Sequence, residues 1–500
     1  MKILSIIISG FMIISLISGI SNNVNADSYW NGMGKITPNK KVSVKEIQVS
    51  KEPHKRINIP IYRQKSEVQT NNQPPSLTLA NVQTSKNFTV LGTMDGLGYD
   101  FVTPPDVQIA VGPTEIMEMD NLQGGVWTKS GMPVGGPFDL ATFFGTGSDF
   151  ISDPKVMYDP LSGRWIASIL DGSQDSIKIA VSDTSNATSG VFCLYSVDTA
   201  FTVFPDQPIL GISGDKITVS SNDFDYKFEH SQFWVLNKAD MLSCEPTSFV
   251  TKTMSDQFSI HPAQSLSNET TQYMVDTMHT TNGSFANVFV INGVPPNPVS
   301  LSITPIKVSS IFDPPSAYQA GTKYLLDTGD SRVQDASWYS GELRLVFTDS
   351  CFPPNDTETR SCLRLVGVDT ENMSLVQDFD YGVSGKYLLY PAMRQLPSGN
   401  LFVLFGFSSP SDYPSIGAIE QPAYQPPDSL DAPTLIKEGV APVDLSYGCF
   451  SSCRYGDYFG VALDPSTPGE VWGAGEYGSG TKDPGGFGNG WGTSIGHFRG

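Results

Sequence analysis

A chain of 500 residues with 36 prolines, 47 glycines and 11% aromatic residues suits many short strands separated by tight turns. Residues 1–86 hold 11 Lys/Arg against 4 Asp/Glu, a net of +7, which leaves 20 against 47, a net of −27, in residues 87–500. So acidic a body repels phosphate backbones and excludes nucleic acid as a partner, while remaining compatible with cationic partners, divalent metals or plain solubility outside a cell.

In chain order, Lys2 is followed by an apolar run to Gly19 and a polar stretch ending Val24-Asn25-Ala26. A basic start, an apolar middle and a small-x-small site predict a signal peptide over 1–26, with an uncleaved membrane anchor as the alternative. The expected location is therefore secreted or extracellular. Residues 27–86 are polar and Lys-rich, which predicts a basic, mostly disordered linker or pro-segment. Within it, the alternation from Val42 to Val49 is able to pair as an added strand. Its charge, opposite to that of the body, suits contact with the body or with an anionic envelope.

From residue 87 to 500 the texture is strand-like throughout, with no apolar pattern of helical period. Seven segments begin alike, near Asp106, Asp153, Asp206, His261, Arg332, Tyr390 and Tyr455, at intervals of 47, 53, 55, 71, 58 and 65 residues. Repeats of that length are four-stranded blades, so the prediction is an all-β fold, a single β-propeller of seven blades with six as the alternative. The turns SGDK, PLSGR, YSGEL and PSGNL each place glycine where a tight hairpin favours positive φ. Leu401-Phe-Val-Leu-Phe405 lacks polar alternation, as a strand covered on both faces should. Phe459–Leu463 and Val471–Tyr477, joined through Asp464-Pro-Ser-Thr-Pro-Gly469, read as the inner hairpin of the last blade. The run Gly492–Phe498 would complete that blade with the chain around Asn87–Met94 and so close the ring.

Six cysteines in an exported chain predict disulfides. Neighbour pairing favours Cys351–Cys362 and Cys449–Cys453, leaving Cys193 with Cys244, out of 15 connectivities that six cysteines allow.

The patterns VALDPSTPGEVWGAGEY, VMYDPLSGRWIAS and RYGDYFG resemble uncharacterised exported proteins of the sialidase-like β-propeller superfamily over roughly residues 100–500. In its enzymes, three arginines grip a substrate carboxylate, a tyrosine activated by a glutamate attacks the sugar, and an aspartate is acid/base. Carried over here, the resemblance implies Arg332, Arg394 and Arg454 as the grip, with Tyr455, Glu476 and Asp457 as the chemistry. Arginine suits the first role because its planar fork meets a carboxylate bidentately. The family's Arg-Ile-Pro and a complete Ser-x-Asp-x-Gly-x-Thr-Trp box are both missing from this chain.

The polar residues opening the segments, Asp106, Asp153, Asp206, His261, Asp335 and Asp457, should converge on one mouth of the central channel. There they would cap backbone N–H groups at the blade entrances, or gather oxygen ligands for Ca²⁺. Asp223, Asp225 and Glu229 form a second candidate calcium loop. Gly492–Gly496 matches GxSxG and Gly473–Gly478 matches GxGxxG, but neither is set for a strand-to-helix turn, so both read as strand glycines. Phe487, Trp491 and Trp338-Tyr339 are candidates for stacking on sugars, and six sequons (Asn87, Asn186, Asn268, Asn282, Asn355, Asn372) would carry glycans in a glycosylating host. The expected function is an exported, non-enzymatic binding or scaffold module that recognises a glycan, protein or envelope surface, with a glycoside hydrolase as the alternative.

Overall fold

The computed structural model describes residues 30–47, 57–59, 62–63, 79–84, 88–146, 150–200 and 203–500. The expected signal peptide and Asn87 lie outside them. Seven sheets of four or five strands follow one another along the chain, each meandering outward from a strand near a common axis. The inner strands or their counterparts are Gln108–Val111, Ile151–Asp159, Phe204–Ile212, His261–Pro262, Asp335–Tyr339, Tyr387–Gln395 and Gly460–Leu463. Successive members of this series neighbour one another, and the last returns to the first. The molecule is a seven-bladed β-propeller, and we number the blades in that order.

The sheets pack radially, so most strands are covered on both faces. Between blades 2 and 3 lie Ile177, Ile179, Tyr195, Leu210, Val219 and Trp234; between blades 5 and 6 lie Leu363, Leu365, Phe379, Met393, Val403 and Phe405. Residues 401–405 are all buried, as their unbroken apolar run requires. Glycine matters where sheets crowd: a Cβ on Gly475 would lie 2.7 Å from the Phe459 ring, and one on Gly478 would lie 2.0 Å from the Ala441 carbonyl oxygen. Both belong to the strand Glu470–Lys482, and Gly492–Gly496 lies in the strand Asn489–Arg499, so the nucleotide and nucleophile-elbow patterns are strand glycines.

The ring closes as expected. Blade 7 takes Gly460–Leu463, Glu470–Lys482 and Asn489–Arg499 from the end of the chain, and its outermost strand is Thr89–Gly98. The hairpin pairs Gly460 with Ala474 and Leu463 with Val471. Of the four turn glycines, Gly163, Gly341 and Gly399 have φ of 67°, 90° and 88°. Gly214 does not adopt the left-handed region. It is small for another reason: a Cβ there would stand 2.9 Å from the Glu269 carbonyl oxygen.

The described parts of 27–86 are paired with the propeller. Gly32–Ile36 is a fifth strand on blade 3, and Lys40–Val42 is a fifth strand on blade 2. Ile57–Asn58 runs parallel to Val102–Thr103, and Asn81–Val82 runs parallel to Ser429–Leu430. Among the described residues of the alternation from Val42 to Val49, only Val42 falls in this added strand, which begins two residues earlier, and Val44–Glu46 forms a short 3₁₀ turn instead. The disulfides are Cys193–Cys244, Cys351–Cys362 and Cys449–Cys453, the neighbour pairing. Among the described residues, no helix is long and apolar enough to cross a membrane.

Candidate functional site

A local device recurs where the inner strands begin. Asp106, Asp153, Gln207, Ser259, Tyr390 and Gly456 all have φ between 48° and 57°. In blades 2, 3 and 6 the left-handed residue is followed by proline and the strand register slips there, the signature of a β-bulge. The bulge turns the backbone N–H away from its ladder, and a side chain of the preceding blade takes it. Asn121 Oδ1 accepts from Asp153 N at 2.7 Å, and Asp153 Oδ2 from Gln207 N at 3.1 Å. Asn222 Oδ1 accepts from Ser259 N at 2.7 Å, and Thr348 Oγ1 from Tyr390 N at 3.1 Å. Blade entrances are thus stapled in series around the axis.

The staples bring the predicted mouth residues together. Burial, and then the charges of Asp457 and Asp153, push the Asp106 carboxyl well above its usual range. Burial and Asp457 raise Asp153; burial and Asp153 raise Asp206. Asn121 Nδ2 donates to Asp106 at 2.7 Å. Beside these acids lies a second group. Asp335 accepts from Met393 N at 2.8 Å and from Arg394 Nη1 at 2.6 Å. Burial holds the His261 imidazole down at about 4 against the attraction of Asp335, and its Nδ1 lies 3.3 Å from the Val333 carbonyl oxygen.

Lys155 joins the two groups. It faces Asp335, Asp153 and Asp106, yet burial drops its ammonium to about 7, and its Nζ sits 3.0 Å from the centre of the Tyr458 ring. Tyr458 in turn donates to the Pro154 carbonyl at 3.1 Å. Neither residue stood out in the sequence. The bulge at Asp153-Pro154 re-aims the following lysine toward the axis, a displacement that strand alternation alone does not reveal.

Arg332 and Arg454 both face Asp206 and Asp457. Their forks are already engaged. Arg454 holds Asp457 bidentately at 2.8 and 2.6 Å, and Arg332 holds Asp330 at 2.7 and 2.8 Å. Although burial works against it, Arg332 draws Asp330 below the carboxylate range. Arg332 also donates to the Gln207 side chain. Arg394 belongs with Asp335 instead, so the three arginines do not converge on one carboxylate position.

The tyrosine-nucleophile geometry is not formed either. Tyr455 is fully buried, and its hydroxyl donates to the backbone carbonyl of Glu476 at 2.8 Å. Burial raises that phenol and the Glu476 carboxyl alike. A phenol serving a peptide carbonyl is a strut, not a nucleophile awaiting a base.

The candidate calcium loop is likewise undone. Asp223 is buried against His230 at 3.1 Å and accepts from Ser221 at 2.6 Å, while Asp225 points to solvent and Glu229 pairs with Lys227 at 3.6 Å. Alternation alone would put Asp223 and Asp225 on one face, but the register slips between Asp223 and Phe224 and Asp225 sits at the exposed end of the hairpin, opposite Lys227. Among the described residues, the three-ligand group within 4.8 Å is instead Asp464, Glu470 and His497. These already hold Lys129 at 2.7 Å, Arg499 at 2.5 Å and the stacked Trp472 ring. Of the expected sugar-stacking aromatics, Trp491 and Trp338 are structural, while Phe487 remains exposed. Trp491 is fully buried and donates to the Val102 carbonyl at 2.8 Å, and Trp338 stacks on Tyr273 and donates to Thr370 at 3.0 Å.

The opposite charges of residues 27–86 and the body suited contact between them, but did not indicate its place at the mouth. Residues of the N-terminal segment lie in it: Arg454 Nε donates to the Ile59 carbonyl at 2.8 Å, and Arg332 Nη2 to the Tyr62 carbonyl at 2.6 Å.

No family model matches this chain, and no curated protein matches it. Solved structures similar to it include Drosophila Semaphorin 1b, extracellular domains 1–2, at 8% identity over 84% of this chain and 87% of that one, TM-score 0.39. The WD40 domain of SCAP from fission yeast is similar at 11% identity over 78% and 84%, TM-score 0.34. A subtype N11 neuraminidase-like protein (flat-faced bat, Peru) is similar at 9% identity over 59% and 88%, TM-score 0.29. The propeller assignment rests on the order of the strands.

Proposed function

We propose that this protein is an exported, non-enzymatic recognition module that binds an extracellular glycan or protein through the channel-mouth face of its propeller. The observation that carries the reading is the commitment of Arg332, Arg394 and Arg454 to Asp330, Asp335 and Asp457. A hydrolase of the sialidase-like kind needs those forks free for a substrate carboxylate, and a tyrosine paired with a carboxylate base rather than with a peptide carbonyl. Three disulfides support an oxidising, extracellular setting. A rigid ring that presents loops at one end suits recognition. Kinship with the sialidase-like superfamily is part of the same proposal, at the level of scaffold and not of chemistry.

The test pairs a glycan and protein array with a panel of fluorogenic glycosides. The reading expects retained ligand without turnover. Turnover that disappears on Arg454→Lys would overturn it.

A further inference from the structure

The described contacts of residues 57–63 are those of a ligand in a site. Ile59 N donates to the Thr103 carbonyl at 2.9 Å, extending the parallel pairing of Ile57–Asn58 with Val102–Thr103. Three residues on, the Tyr62 ring packs against Phe204 and Phe224, with centroids 5.4 and 5.0 Å away. Arg63 reaches Asp327 at 2.5 Å. Ile59 is buried in the same apolar cluster as Tyr455.

The captured atoms matter more than the area. Arg454 and Arg332 are buried, with side chains 5% and 6% exposed. Arg454 gives both terminal nitrogens to Asp457, and its remaining Nε–H donates to the Ile59 carbonyl. A buried charged donor stripped of its acceptor costs several times what an ordinary hydrogen bond contributes. The mouth therefore offers donors to two peptide carbonyls three residues apart, those of Ile59 and Tyr62. Charge favours the same occupant, since Arg63 adds a cation within residues 1–86, of net +7, and meets residues 87–500, of net −27.

We propose that the channel mouth is a site for a peptide of the pattern aliphatic–x–x–aromatic–basic, and that the described residues 57–59 and 62–63 of this chain occupy it as a mask. This deepens the recognition reading and rests on it. A trans ligand of the same pattern enters when the segment leaves, and the segment's tether sets a high local concentration that an outside peptide must exceed.

The experiment replaces residues 57–63 by a Gly-Ser run of equal length in the otherwise full chain, which keeps the added strands on blades 2 and 3. A fluorescent peptide with the sequence of residues 57–63 is then titrated into this variant and into the unaltered chain. The expected result is binding to the swapped variant about tenfold or more tighter than to the unaltered chain. Tyr62→Ala or Arg63→Glu in the peptide should each weaken it by about tenfold. No binding to a swapped variant that melts like the unaltered chain overturns the proposal. Should the swap fail to fold, hydrogen exchange on the unaltered chain decides: protection of the Ile59 amide supports the mask, and exchange at the rate of a free peptide overturns it. If the peptide binds but the array captures nothing, recognition of an outside partner fails and the mask stands. If the array captures its ligand equally with and without the segment, the mask fails and recognition stands.

Discussion

The carboxylate of Asp153, which opens blade 2, accepts the backbone N–H of Gln207, which opens blade 3, at 3.1 Å. The aspartate that the sequence offered as a cap for a blade-entrance N–H, or as a calcium ligand, is therefore a staple between blades. The roles separate by substitution. Asp153→Asn keeps an acceptor and removes a charge that burial already opposes, so its melting temperature should change little. Asp153→Ala leaves the N–H of a left-handed residue unpaired and should cost about 1–3 kcal/mol by denaturant titration.

Arg454 and Asp457 form a bidentate pair in a nearly dry setting. Asp457→Ala should destabilise by about 3–5 kcal/mol, because the guanidinium stays buried without its counter-charge. The double variant Arg454→Met with Asp457→Leu should recover much of that loss. Equal losses in the single and double variants would show that the pair's shape, not its charge, matters.

Stability should fall as pH rises toward neutrality. Burial pushes Glu118 and Asp276 up to about 8 and Asp120 and Glu420 up to about 7. Each folded-state value lies above that of the unfolded chain, so their contribution is complete below the unfolded value and is lost as pH rises through the folded one. His261, held at about 4, works in the opposite direction over the same window, but it is one group against several. Thermal unfolding should therefore come several degrees higher at about pH 4.5 than at about pH 7.

The bond between Cys193 and Cys244 ties the fourth strand of blade 2 to the turn after the short helix Lys238–Leu242 of blade 3, across 51 residues. Replacing both by alanine should cost about 2–5 kcal/mol. The loss should appear as earlier proteolysis in blades 2 and 3, measured by mass spectrometry, with blade 6 least affected.

Much of this architecture was legible because propeller blades repeat. The seven segment starts fall at or within a few residues of the inner strands, and the closing partnership of Gly492–Phe498 with the chain near Met94 follows from the need to cover two edges. The disulfide map was legible from spacing. The convergence of Asp106, Asp153, Asp206 and Asp457 followed from their shared position in the repeat. The capping of backbone N–H groups at the blade entrances was legible too, and Asp153 does this for Gln207, but the further partners were not. The partners of Arg332 and Arg454 come from Asp330, a loop residue, and from Ile59 and Tyr62, contacts separated by 395 and 270 positions. Lys155 and Tyr458 were hidden by the bulges, which break the alternation used to assign faces. Trp491 and Trp338 read as candidate sugar platforms because an aromatic in a Gly-rich stretch looks exposed until the neighbouring blade is in place.

The central claim is that Arg332, Arg394 and Arg454 are engaged by Asp330, Asp335 and Asp457, so that they do not jointly grip a substrate carboxylate. It is tested most directly by assaying the 57–63 Gly-Ser variant, with its mouth unmasked, against a panel of fluorogenic sialosides and other glycosides. The account predicts no hydrolysis above buffer. Turnover in that variant that is lost on Tyr455→Phe would contradict it.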